Sequence, residues 1–98
     1  GTAIYFAGDT CVFGDMKLIG EIYKPDIAVL PIGNRFTMGA LEASVAVKLI
    51  QAQHVIPFHY GTFGMLDQTP DEFIELVKET VHVHILNAGD ILNCSQLM

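Results

Sequence analysis

Positive charge is scarce in this chain. Lys17, Lys24, Arg35, Lys48 and Lys78 are its five basic residues, scattered along 98 positions with a net charge of −6. A nucleic-acid groove needs clustered Lys and Arg, so nucleic acid is not an expected partner. No apolar run nears the roughly 20 residues that span a bilayer, and no membrane partner is expected either. A secretory leader pattern is also missing. Cysteine is rare: Cys11 and Cys94 lie far apart in sequence. Two such residues make no disulfide framework, which leaves a reducing cytoplasm as the expected compartment. The glycines match neither a P-loop nor a dinucleotide fingerprint, and no Gly-x-Ser-x-Gly occurs.

Apolar residues, by contrast, are plentiful at 51% of the chain. One small domain over residues 1–98 is expected. The apolar content is rich for so short a chain, which implies core-like surface covered by another chain or by residues outside this one. The sequence opens at Gly1 directly into a strand, and a strand there needs neighbours. It reads as the carboxyl-terminal part of something larger. The acidic balance sits mostly between Asp71 and Glu79, as a solvated helix face.

The periodicity predicts an α/β sheet in the order β-α-β-α-β-α-β-β. Residues 3–8 read as a buried strand. A helix follows over 15–23, capped by Asp15, with Met16, Ile19, Ile22 and Tyr23 on one face. Residues 27–32 read as a second buried strand. A helix over 40–53 presents Leu41, Val45, Leu49 and Ala52. Residues 54–58 are the third strand. Thr69-Pro70-Asp71-Glu72 signals another helix start, with Thr69 as cap and Pro70 at the first helical position. Residues 81–86 and 91–94 read as a terminal hairpin around Asn87-Ala88-Gly89-Asp90.

In such sheets, ligands bind beyond the carboxyl ends of the strands. Three ends stand out: Gly8-Asp9-Thr10, Gly33-Asn34-Arg35 and His59-Tyr60-Gly61. Asp is a hard oxygen donor and His the commonest nitrogen donor, so Asp9 and His59 suit a transition metal. Taken singly, Asp9 reads first as an Asx turn or cap, and His59 as a core or turn histidine. Arg35, the lone arginine, suits a phosphate or carboxylate, or simply an exposed loop. Met38 and Phe36 line a pocket or staple their loop to the core. His82 and His84 share a strand face, which reads as exposed surface near the hairpin. His54 reads as a surface residue, and Cys11 as small buried packing.

Several stretches together resemble the metallo-β-lactamase superfamily. They are Ile4-Tyr5-Phe6-Ala7-Gly8-Asp9-Thr10, Asp15-Met16-Lys17-Leu18-Ile19-Gly20-Glu21, the run from Lys24 to Gly33, Phe36-Thr37-Met38-Gly39, and Val55 to Phe63. The resemblance is closest to the branch of metal-dependent hydrolases related to ascorbate-6-phosphate lactonase. It implies half of an αββα sandwich, the carboxyl-terminal half. It also implies that Asp9 bridges two metal ions, Zn or Mn, and that His59 is the last histidine ligand. Thr10, Asn34, Thr37 and Tyr60 would contact substrate or support the ligands, beside the Arg35 already read as a candidate for substrate. The implied reaction is attack by a metal-bound hydroxide on a small-molecule lactone, ester or phosphodiester. The family's H-x-H-x-D-H loop is absent here, and His82-x-His84 does not replace it. The expected assembly is therefore a homo-oligomer, or a chain completed by the amino-terminal half. The alternative is a non-enzymatic module that dimerises through an exposed sheet face.

Overall fold

A computed structural model describes residues 2–33, 37–58, 69–86 and 89–94. Four parallel strands form one sheet in the order β1-β2-β3-β4, with β1 at Ile4–Phe6, β2 at Ile27–Pro31, β3 at His54–Phe58 and β4 at His82–Val83. Helices α1 (Met16–Tyr23), α2 (Ala40–Ile50) and α3 (Asp71–Val77) connect them in turn. Each crossover moves one strand in the same direction. Right-handed crossovers then put all three helices on one face of the sheet. The packing agrees: α2 touches α1, α3 and β2.

Register fixes which side chains meet those helices. Tyr5 pairs with Ala28, and Val55 lies level with both Ala28 and Val83. These residues join the core with Leu30, Ile32, Met16, Ile50, Phe73 and Val77. Phe73 is the largest fully buried side chain among the described residues. The alternate residues face the other way. On that partly bare face Ile4 is 54% and Phe6 65% exposed while Ile27 and Pro31 are buried, and the rings of Phe6 and Phe58 lie 5.2 Å apart.

The middle helix has an unexpected orientation. α2 turns Ala40, Ala43, Ser44, Ala46, Val47 and Ile50 inward and leaves Leu41 and Val45 exposed. Packed between two helices and over a strand, α2 needs small residues to come close. The buried Ser44 hydroxyl donates to the Leu41 carbonyl at 2.6 Å, so its polarity is satisfied. α1 likewise buries Met16 and Gly20, while Ile22 and Tyr23 stay exposed.

Other local expectations also shift. Asp15 occupies the cap position of α1 but makes no side-chain cap bond. Pro70, not Thr69, is the N-cap residue of α3. The terminal hairpin does not form among the described residues. β4 is only two residues long and pairs parallel to β3, and residues 91–93 join no strand. Parallel pairing satisfies β4 through the sheet, so it needs no antiparallel partner.

The tightest approach in the helix layer is at Gly20. A Cβ there would overlap the carbonyl oxygen of Ile50. That atom is backbone and cannot swing aside. Gly20→Ala is expected to destabilise the fold by about 2–3 kcal/mol, in the range for overpacking, as read from urea unfolding.

Candidate functional site

The candidate site is assembled from the carboxyl end of the sheet. β1 stops at Phe6, and the Ala7 N–H still donates to the Val29 carbonyl at 3.1 Å. Gly8 then takes φ +73° and turns the chain out of the strand. Only glycine adopts that conformation without strain. Asp9 follows directly and is exposed at the strand end. Its neighbour Thr10 is half-buried and donates its hydroxyl to the Cys11 carbonyl at 2.9 Å.

The loop beyond β2 is tied to this turn. The Met38 N–H donates to the Thr10 carbonyl at 3.1 Å. Met38 is buried in the core, so it staples the loop rather than lining an open pocket. Thr37, half-buried, donates its hydroxyl to the Met38 carbonyl at 3.4 Å. Just beyond, the Gly39 N–H donates to Glu42 Oε1 at 2.8 Å, which steadies the start of α2. Asp9, Thr10 and Thr37 are thereby brought to one end of the sheet. β3 ends level with β2: Pro31 pairs with Phe58, and the Ile32 N–H donates to the Phe58 carbonyl at 3.0 Å. His59, Tyr60, Asn34, Arg35 and Phe36 lie outside the described residues.

At the opposite end of the sheet, β1 and β2 are clamped together. The Ala3 N–H donates to Asp26 Oδ2 at 2.9 Å, and the Asp26 N–H donates to the Ala3 carbonyl at 2.8 Å. Clefts among the described residues also sit at this end. One is lined by Gly20, Lys24, Pro25, Asp26, Gln51 and Gln53, and another by Ala3, Ile4, Tyr5, Ile19, Tyr23 and Pro25. Burial pushes the Tyr5 hydroxyl up from its ordinary pKa, but its strand-centre position keeps it in the core.

Two assignments reverse. His54 is buried at 8% exposure, not a surface residue. Cys11 is exposed, not packed inside. His82 and His84 gather around His54. The signal for this was present in sequence: His54 opens one strand and His82-x-His84 spans the next. Only the pairing of those strands joins them.

What the described residues offer at the carboxyl end is the carboxylate of Asp9 and two threonines, Thr10 and Thr37, on loops joined by the Met38–Thr10 hydrogen bond. Among the described residues, no three His, Cys, Asp or Glu side chains converge to hold a metal ion. Asp9 alone therefore makes no metal site.

A parallel sheet covered by helices on one face is the architecture of an α/β half-domain. Residues 1–59 match the beta-lactamase superfamily domain, and the chain belongs to that family. A "UPF0173 metal-dependent hydrolase" of Methanosarcina mazei is 54% identical over 86 residues, covering 88% of this chain and 37% of the relative. A protein of the same name from Rubrobacter xylanophilus is 48% identical over 95 residues, covering 94% and 39%. The solved structure of Igni18, a metallo hydrolase from Ignicoccus hospitalis, superposes with a TM-score of 0.88 at 38% identity, over 94% of this chain and 41% of that one. The chain thus spans about two fifths of the length of the relatives it matches. The half-fold read from sequence agrees with the observed sheet and helices.

Gly8→Ala tests the turn that presents Asp9. No atom lies within 4 Å of a Cβ built there, so any loss reflects backbone strain alone. The expected loss is about 1–2 kcal/mol in urea unfolding. Gly8→Asn should lose less, because Asn tolerates left-handed backbone better than Ala.

Proposed function

We propose that residues 1–98 form a single domain, the carboxyl-terminal half of a metal-dependent hydrolase, in which Asp9 and His59 are this chain's share of the metal ligands. The observation that carries the reading is Asp9 itself. It follows a left-handed Gly8 at the end of β1, exposed, and is braced through Thr10 to the loop beyond β2. A hard oxygen donor in that place suits Zn or Mn. The described residues supply that one carboxylate, and His59 adds one imidazole. A zinc site wants at least three protein ligands, so these two form part of a donor set. The missing donors belong to an amino-terminal half.

When bound, the metal supplies a hydrolytic nucleophile and a Lewis acid for the developing negative charge. The chain's own residues bind and orient. Asp9 holds charge opposite the cations. Thr10 and Thr37 set hydroxyls beside it, each already donating to a backbone carbonyl and so left with acceptor capacity. Arg35 recognises a carboxylate or phosphate on a small-molecule lactone, ester or phosphodiester, with Asn34 and Tyr60 completing the pocket. The cytoplasm is the proposed compartment.

Metal content and lactonase, esterase and phosphodiesterase turnover should be compared between this chain and a version joined to an amino-terminal half. The chain alone is expected to hold substoichiometric metal and show no turnover, and the joined protein to gain both. Asp9→Asn in the joined protein should lose metal, read as metal content of the purified protein. Stoichiometric metal and turnover in the monomeric chain alone would contradict the reading.

The second reading is a non-enzymatic module that forms an obligate homodimer through its bare sheet face. Exposed Ile4 and Phe6 favour it, because contiguous apolar surface on a small domain marks an interface. Isologous pairing is also the commonest symmetry. Sedimentation at micromolar concentration distinguishes the cases: a dimer is expected here, and a well-folded monomer sinks this reading.

A further inference from the structure

A two-residue strand at the sheet edge brings three histidines together. β4 is two residues long and forms one edge of the sheet. Its backbone is held by the His82 N–H donating to the Gln53 carbonyl and the His84 N–H donating to the Val55 carbonyl, each at 2.9 Å. In register with His82 lies His54 of β3. Their rings stack with centroids 5.1 Å apart and planes 25° apart. The His84 ring sits 5.3 Å from that of His54, with His54 Nδ1 and His84 Nε2 at 3.1 Å. All three rings lie on the sheet face opposite the helices.

That nitrogen–nitrogen contact has a strict proton requirement. One ring must donate an N–H and the other must offer a lone pair. A single added proton is tolerated, since an imidazolium still donates to a neutral imidazole. Once both rings are protonated they hold only donors, and the contact turns repulsive. His82, stacked on His54, adds a third charge to the same patch when protonated. The stacking also argues against a shared metal, since face-to-face rings do not aim their lone pairs at one point.

We propose that His54, His82 and His84 form a proton-operated latch, which holds β4 against β3 while the cluster carries at most one proton and releases it when a second is bound. The latch rests on different residues from the metal reading and stands or falls separately from it.

Among the described residues, the neighbours of the cluster on adjoining segments are Ile27, Asp26 and Asp90. Ile27 of β2 lies level with His54 and is apolar. Asp26, just before it, has its carboxylate engaged by the Ala3 N–H. Asp90 follows on the segment after β4. On His84 itself, burial acts first to lower the pKa, followed by the charges of His54 and His82. A lowered histidine pKa means that the released strand binds more protons than the docked one. Docking is therefore fully present above the ordinary value of 6.5 and is lost as pH falls from there toward the lowered docked value.

Amide exchange of the unaltered chain between pH 8 and pH 5, corrected for intrinsic rates, reads the latch directly. Protection at His82 and His84 is expected to fall about tenfold or more, the effect of one proton over one pH unit, while Leu30 in β2 stays level. His84→Gln should flatten this dependence. Imidazole titrations followed by NMR in the unaltered chain need no variant to fold, and should show at least one ring titrating below the ordinary range with coupled curves. Uniform protection at β4 across the range overturns the latch, as do three independent titrations at the ordinary value, or a His84→Gln chain that keeps the full pH dependence.

Discussion

Everything in this molecule depends on the handedness of its parallel connections. Four parallel strands laid down in sequence order leave one direction of travel, and right-handed crossovers then place every helix on one face. The opposite face leaves Ile4 and Phe6 exposed. All strand ends of one polarity share a single edge of the sheet, so the turn after β1 and the loop after β2 meet there. The hydrogen bond from Met38 to Thr10 is the physical join between them. A mixed or antiparallel order would have sent Asp9 and Thr37 to opposite edges.

The helix layer shows how close packing is achieved with little material. α2 lies between two helices, and its inward face is almost all alanine, serine and valine. Gly20 lets α1 settle directly against the Ile50 carbonyl. Bulk enters the core from other elements, through Met16, Leu30, Met38 and Phe73. The arrangement explains why a chain so rich in apolar residues still exposes Leu41, Val45, Ile22 and Tyr23. Their helices meet neighbours through small residues, and the larger ones face outward.

Strands were the legible part of the sequence. The third strand runs over the residues its composition indicates, 54–58, because short β-branched runs bounded by turns have few other uses. The acid at the end of β1 was visible for the same reason: a polar residue after an apolar strand and a glycine has nowhere to hide. Helix faces were less legible. Period alone marks Leu41 and Val45 as core, but the spacing to neighbouring helices selects the alanine face instead. The 91–94 strand failed because local alternation cannot tell a hairpin from a short parallel edge strand followed by irregular chain. His54 was misread because its partners, the stacked ring of His82 and the hydrogen-bonded ring of His84, lie some 30 residues later in the chain.

β3 links these features across the bare face. It begins at buried His54, beside the imidazoles of β4, and ends at Phe58, one residue before His59. Between them the face is apolar, with Phe6 and Phe58 in contact. Such a strip is poor at hydrating charge and good at excluding water when another surface covers it. Covering it would therefore strengthen electrostatics at both ends. At the carboxyl end, a drier Asp9 would attract cations more strongly. At the amino end, a drier histidine cluster would resist protonation further and hold β4 more firmly. Whatever surface lies on the bare face thus acts on both ends through the same loss of water, although the two groups share no side-chain contact.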